Sequence, residues 1–241
     1  RSLIKNFKDR YRCVVPDHIG CGFSDKPQDY NYTRATHIDN LEKLVDFLDL
    51  KNISLVVHDW GGSIGMGLAV RKPELIKRLV IFNTASFLSS NIPLRINLCR
   101  IPLLGTIAIQ NLNLFVRGVL RFGLKRRKQL TQNIRDGYLA PYDSFENRIA
   151  NLKFVQDIPM DASMPSYSVV KDIENNLKHF QGLPILILWG IEDFCFNIKF
   201  LNKWREIFPL AEVHEILNAG HLVVEDATDE IIPLMEEFLK K

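Results

Sequence analysis

Two candidate nucleophiles stand four residues apart in the stretch Val57-His58-Asp59-Trp60-Gly61-Gly62-Ser63-Ile64-Gly65. A nucleophile carried on a sharp strand-to-helix turn sits on a crowded backbone, so the residues around it must be small. Gly61-Gly62-Ser63-Ile64-Gly65 spells G-x-S-x-G and would make Ser63 an acyl-transfer nucleophile. The competing register makes Asp59 the nucleophile, forming an ester with an electrophilic carbon. Ile53-Ser54-Leu55-Val56-Val57 is a near-continuous apolar run, the pattern of a strand covered on both faces. The run ends at Val57, so Asp59 falls two residues on, where such a nucleophile belongs. Ser63 falls about one helical turn further, pointing at the sheet or at a neighbouring helix. The register selects Asp59. Read merely as a helix N-cap, Asp59 would leave the tryptophan and paired glycines that follow it without a purpose. Ser63 is then a small residue that lets the helix approach its neighbours.

The elements needed to hold such a turn are legible around it. Tyr11–Val15, Ile53–Val57, Arg78–Phe82, Pro184–Gly190 and Ala211–Leu217 read as strands, mostly buried on both faces. Residues 33–49 repeat apolar positions at helical spacing, and helices are also expected from Trp60 to about Arg71, over Phe200–Phe208 and over Ile231–Lys240. Strands alternating with helices imply an α/β fold with a mainly parallel sheet and helices on both faces. From about Ser86 to Leu177 the pattern is helical throughout. The chain is therefore expected to divide into a first core segment (1–85), an inserted helical cap (86–180) and a second core segment (181–241).

His58-Asp59-Trp60-Gly61-Gly62 resembles the nucleophile motif of the haloalkane dehalogenase-like and epoxide hydrolase-like α/β-hydrolases. Pro16-Asp17-His18-Ile19-Gly20-Cys21-Gly22-Phe23-Ser24-Asp25-Lys26-Pro27 resembles the loop after the preceding strand in that family. Tyr138-Leu139-Ala140-Pro141-Tyr142-Asp143-Ser144, with Asn147-Arg148 and Phe154–Pro159, is similar to a cap segment of the dehalogenase-like branch, nearest the group containing the β-lactone decarboxylases of bacterial olefin biosynthesis. The likeness covers essentially the whole chain. It implies an α/β-hydrolase fold and covalent catalysis by Asp59 on a hydrophobic alkyl substrate, either C–halogen hydrolysis or olefin formation from a β-lactone.

The resemblance also implies the partners of Asp59. The family keeps its catalytic histidine on the loop after the last strand, here Leu217-Asn218-Ala219-Gly220-His221. A base there, at the carboxyl edge of the sheet, can reach a water or ester beside the nucleophile. The orienting acid follows one of two strands in these enzymes. After the earlier one, Ile81-Phe82-Asn83-Thr84-Ala85 offers no carboxylate; after the later one, Trp189-Gly190-Ile191-Glu192-Asp193-Phe194 offers Asp193 at the matching spacing, with Glu192 the second choice. The plainer alternative for both is an ordinary loop carboxylate. Trp60 is expected to offer its indole N–H to a departing anion and its backbone N–H to an oxyanion. His58, Tyr138 and Tyr142 are candidate pocket residues. His18 is expected in a loop beside the site, His37 and His179 at the surface, and His214 facing outward from a strand.

Two alternatives stay open. An epoxide hydrolase would need hydroxyls to protonate the opening ring, for which Tyr138, Tyr142 and Tyr167 are candidates. A catalytically silent member of the fold would be a binding protein. A fluoroacetate-type dehalogenase is disfavoured because Trp60 stands where that group has arginine.

The chain of 241 residues is 46% hydrophobic, enough for a sizeable core, and its net charge of +3 is too small to argue for nucleic acid. The basic residues are uneven, however. Arg95, Arg100, Arg117, Arg121, Lys125, Arg126, Arg127 and Lys128 occur with no acid among them. The apolar segment Ile92–Leu124 with this fringe could rest on an anionic membrane surface, contact a partner enzyme or line an alkyl channel; burial against the main domain is the simpler expectation. Cys13, Cys21, Cys99 and Cys195 show no metal-ligand spacing and read as reduced thiols of a cytoplasmic protein. No cofactor or metal is implied. The fold's first strands, and the His-Gly loop that supplies the other oxyanion amide, are not found, so the chain is expected to be a fragment and Tyr11–Val15 to lack a neighbour.

Overall fold

A computed structural model describes residues 1–241. Its sheet has four parallel strands in simple sequential order: β1 (Ile53–Asp59), β2 (Ile76–Thr84), β3 (Ile185–Gly190) and β4 (Glu212–Ile216). Alternate residues of each central strand enter opposite layers. Leu79, Ile81, Ile187 and Trp189 face a layer shared with Ile38, Ile64 and Trp204, whereas Val80, Phe82, Leu186 and Leu188 face one shared with Phe7, Ile231 and Phe238. Burial on both faces explains why these strands read as unbroken apolar runs. Each large side chain so buried contributes about 1.5–3 kcal/mol.

The helices of the core are α1 (Ser2–Phe7), α2 (Arg34–Phe47) and α3 (Trp60–Arg71). Between β2 and β3 the chain is helical: α4 (Leu94–Arg100), α5 (Pro102–Gly105, running into a wide turn at Thr106–Asn111), α6 (Leu114–Phe122), α7 (Gln132–Leu139), α8 (Ile149–Gln156) and α9 (Pro165–Asn176). After β3 come α10 (Ile198–Ile207), α11 (Val223–Asp226) and α12 (Thr228–Leu239). Thr33 starts α2 by accepting a hydrogen bond from the Thr36 backbone amide. Gly67 lets α3 pass against α2, since a Cβ there would collide with Ile38.

Three expectations need correction. Tyr11–Val15 is not a strand; it is exposed and makes no ladder, because no strand lies on the outer side of β1 to receive it. His37 is fully buried rather than at the surface: it stacks on Phe154 at 4.6 Å, both ring nitrogens lack partners, and burial pushes its pKa down to about 4. α2 carries it inward because α8 covers that face of the helix. Finally, the apolar helices after β2 do not bury their whole face. Leu94, Leu98, Ile101, Leu103, Leu104, Ile107, Leu112, Leu114 and Phe122 are all exposed, Leu94 by 73% and Leu103 by 71%. No single helix is long and apolar enough to cross a membrane.

Candidate active site

The turn between β1 and α3 is strained at one residue. Asp59 has φ 47° and ψ −125°, a conformation that costs a non-glycine residue about 1–3 kcal/mol. Its side chain makes no capping bond to α3, so the N-cap reading fails and the carboxylate is left for other work. The turn is locked from behind: Thr84, at the end of β2, donates its hydroxyl to the Asp59 carbonyl. Gly62 permits that approach, since a Cβ there would fall on the Thr84 hydroxyl, whereas one on Gly61 would meet nothing. Of the two glycines, Gly62 is the steric requirement.

His221 lies beyond β4, three strands away from Asp59, and must cross the end of β3 to reach it. Gly190 makes the crossing possible, because a Cβ there would strike the Gly220 carbonyl. Asn83 pins the same point, donating to the Gly190 carbonyl and accepting from its amide, both at 2.8 Å. The β2 loop that offers no carboxylate thus supplies a structural amide instead.

The crossing brings Asp59, His221 and Asp193 together. His221 Nδ1–H donates to Asp193 Oδ2 at 2.9 Å, and His221 Nε2 lies 3.7 Å from Asp59 Oδ2. Asp193 is buried, and its other oxygen accepts from the Cys195 amide at 2.7 Å. Glu192 instead faces Lys125 at 3.6 Å near the surface. Burial opposes charge on His221, but Asp193 and then Asp59 outweigh it and raise its pKa to about 10. Burial likewise opposes charge on Asp59, yet the close approach and positive charge of His221 hold its pKa below the ordinary carboxylate value. The pair rests as imidazolium and carboxylate. Cys195 is kept a neutral thiol, first by burial and then by Asp59 and Asp193.

His58 lines the same space. Its Nε2–H donates to the His221 carbonyl at 2.8 Å, and burial together with the neighbouring His221 charge lowers its pKa to about 4, so it stays neutral and fixes the histidine loop. Trp60 packs on Phe154 at 4.8 Å beside Asp59. Tyr138 and Tyr142 also line the cavity: Tyr138 donates its proton to Glu225 at 3.1 Å, whereas the Tyr142 oxygen accepts from the Gly22 amide at 3.2 Å. Burial pushes the Tyr142 pKa up to about 12. Tyr167 does not line the cavity. His18 packs edge-on against His37 outside it, His179 is exposed, and His214 is half-exposed against Glu212. Ser63 lines the cavity but is tied to Arg34 and to the Trp60 carbonyl.

The cavity has a volume of about 640 Å³, and 23 of its 35 lining residues are hydrophobic, which suits an apolar small molecule. Phe87, Phe122, Phe194 and Phe196 form much of the wall. One supporting residue escaped the sequence reading. Asp226, 1% exposed, accepts from the amides of Gly220 (2.7 Å), Arg126 (2.8 Å) and Lys125 (3.0 Å). It joins the histidine loop to the segment after α6. Arg126 adds bonds to the carbonyls of Leu217 (2.7 Å) and Asn218 (3.2 Å), so part of the basic fringe is structural. No spacing or motif marks Asp226, because two of its three partners, the Lys125 and Arg126 amides, lie about a hundred residues earlier.

Comparison with known proteins agrees with this architecture. The α/β hydrolase fold family profile matches residues 1–228. The cis-3-alkyl-4-alkyloxetan-2-one decarboxylase of Shewanella oneidensis is 49% identical over 245 residues, covering 99% of this chain and 77% of that protein. The protein of the same name from Xanthomonas campestris is 39% identical over 252 residues, covering 100% of this chain and 83% of the relative. Among solved structures, haloalkane dehalogenase DbeA from Bradyrhizobium elkani superposes with a TM-score of 0.87 at 23% identity, covering 100% of this chain and 84% of that one, and so shares the fold. The strained turn at Asp59, the histidine carried across the sheet edge and the matches over nearly the whole length together say that this chain belongs to the α/β hydrolase fold family.

Proposed function

We propose that this protein is a β-lactone decarboxylase that uses Asp59 as a covalent nucleophile. The observation that carries the reading is a carboxylate on a strained turn, 3.7 Å from a charged histidine, in an apolar cavity. The 49% identity to a cis-3-alkyl-4-alkyloxetan-2-one decarboxylase supports the substrate class. Asp59 attacks C4 of the ring from the face opposite the ring oxygen. The C4–O(Asp59) bond forms, the C4–O1 bond breaks, and O1 departs as part of a carboxylate on C3. Inversion leaves the new ester bond antiperiplanar to the C3–carboxylate bond. That C–C bond then breaks, its electron pair becoming the C3=C4 π bond, and Asp59 leaves C4 as a free carboxylate. Carbon dioxide and a cis olefin are released. No water, oxidant or cofactor enters.

The imidazolium of His221 suits this route, because it stabilises the departing Asp59 carboxylate and has no water to deprotonate. In a dehalogenase His221 would have to be neutral at the ester stage, after Asp59 has lost the charge that helps raise the histidine pKa. The Tyr138 proton, given to Glu225, argues against that tyrosine as the acid of an epoxide hydrolase. We assign the chain's division as core at 1–85 and 181–241 with a cap at 86–180, the cap supplying most of the aliphatic wall. Four free thiols support a reducing, cytoplasmic setting.

Incubation with a cis-3,4-dialkyl β-lactone is expected to give olefin and carbon dioxide. The rate should stay flat from about pH 6 to 9, because His221 holds its proton until its raised pKa of about 10. A 1-bromoalkane serves as the competing substrate, with His221→Ala used to trap any ester. Bromide release that rises with pH, without lactone turnover, would convert the reading to a dehalogenase. An alkyl adduct on the peptide carrying Ser63 would remove Asp59 from its role.

The exposed leucines of α4 and α5, flanked by Arg95, Arg117 and Arg121 with no acid between them, support contact with an anionic membrane surface. Vesicles containing phosphatidylglycerol are expected to sediment the protein at low salt, and the double change Leu94→Glu with Leu103→Glu to abolish it. Equal sedimentation of that variant would reject the surface.

A further inference from the structure

Arg34 is a buried cation whose guanidinium lacks a carboxylate partner. It is 6% exposed, at the first turn of α2, and lines the same cavity as Asp59, Trp60 and His221. Its Nε donates to Ser63 Oγ at 2.8 Å, and its Cζ lies 4.5 Å over the Trp60 ring. These two contacts fix the plane of the guanidinium. Its Nη1 is buried with no hydrogen-bond partner. Asp157 does not fill that gap: its oxygens accept from the Arg34 backbone amide at 3.0 Å and from Ser166, and neither is bonded to the guanidinium. Asp59 is paired with His221 instead. Burial lowers the Arg34 pKa to about 10, with Asp157 offsetting part of the effect, so the group is charged at neutral pH.

Removing a guanidinium from water is costly, and a buried Nη1 without a partner, on a side chain that lines a substrate cavity, leaves part of that cost uncompensated. An anion arriving from the cavity would complete the site. A guanidinium presents donors in a planar fork that matches the two oxygens of a carboxylate better than a spherical halide. We infer that Arg34 is the carboxylate subsite of this cavity, receiving the carboxylate set free when the lactone ring opens. The assignment of the lactone rests on the reading above; the carboxylate site itself does not.

On this assignment the intact lactone is neutral and gains little from Arg34, whereas the opening ring places negative charge on O1 and the attached carbonyl oxygen. The interaction therefore strengthens in the transition state, which raises kcat more than it lowers KM. Ser63 acts as the positioning residue that turns the guanidinium into the cavity. This use explains the hydroxyl of a residue that otherwise imitates a serine nucleophile.

The test compares binding of octanoate and 1-octanol to the unmodified protein and to Arg34→Gln and Arg34→Lys, by calorimetric titration. Without a cation in the cavity, octanoate would bind more weakly than the alcohol, since its charge must leave water and approach Asp59. The unmodified protein is expected to prefer octanoate at least about tenfold, a difference of about 1.4 kcal/mol. Arg34→Gln should reverse the preference while leaving 1-octanol binding unchanged, which also shows that the variant is folded. Arg34→Lys should fall between them. With the lactone, Arg34→Gln should lose about 10²–10³ in kcat with KM nearly constant. No preference for octanoate in the unmodified protein, or an undiminished preference in Arg34→Gln, would overturn the assignment; the first comparison decides even if the variants do not fold. A carboxylate preference that depends on Arg34, in a protein that does not turn over the lactone, would leave this site standing and refute the decarboxylase.

Discussion

Asp59→Asn is expected to lower turnover of a cis-dialkyl β-lactone by about 10⁴–10⁶-fold, the loss seen when a covalent nucleophile is removed from a site that acts as a unit. The amide keeps the shape of the carboxylate but cannot displace the ring oxygen. It also removes the charge that helps hold the proton on His221, whose pKa should fall from about 10 as one of its two carboxylate partners is lost. The histidine titration, followed by NMR, reports that shift independently of any substrate. The strained φ of 47° at position 59 makes a further demand. Asparagine tolerates positive φ better than most residues, so the variant should fold with little loss of stability. A kcat within about tenfold of the unmodified protein, with the histidine shifted as expected, would mean that Asp59 is not the nucleophile; Ser63 would then have to be examined directly.

Asp226→Asn should have the largest effect on stability among substitutions outside the hydrophobic layers. Asp226 is buried and receives the amides of Lys125, Arg126 and Gly220 on its two oxygens. Asparagine offers one acceptor and turns an N–H₂ toward the remaining donors. Each buried donor left unsatisfied costs about 1–3 kcal/mol, so a loss of roughly 2–4 kcal/mol is expected. For a chain of this size that corresponds to a fall in Tm of about 5–15 °C. Activity should fall as well, because Gly220 precedes His221. An unchanged Tm would show that water or a shifted backbone satisfies these groups.

The most legible part of the fold was the part whose burial is two-sided. β2 and β3 announced themselves because alternate residues enter opposite apolar layers, whereas β1 leaves Val56 exposed and β4 (Glu212–Ile216) carries three polar residues. Asp59 was legible from its distance past Val57, where the apolar run of β1 ends, and Asp193 from its distance past Gly190. Tyr11–Val15 misled because strand propensity is local while a ladder needs a neighbour, and β1 has none on that side. His37 misled because an imidazole near Arg34, Thr36 and Asn40 reads as part of a polar face, and only the packing of Tyr30, Tyr32 and Phe154 around its ring decides that this face is inside. Arg34 and Asp226 left no trace, since an arginine near a helix start and an aspartate before a helix are ordinary in sequence. What distinguishes them is what they touch: an indole ring and a serine in one case, distant backbone amides in the other.

The sequential strand order has a consequence for how the site comes into being. Asp59 follows β1 and His221 follows β4, at opposite edges of the sheet, and Asp193 follows β3 between them. Contacts separated by so much chain form late, after the loop-closure entropy of the intervening helices has been overcome. Pairing β1, β2 and β3 alone would leave Asp59 without its histidine partner, since His221 follows β4. Reactivity therefore arrives with the last strand. Only the finished fold, with β4 in place, sets His221 against the carboxylate of Asp59 and so completes the site.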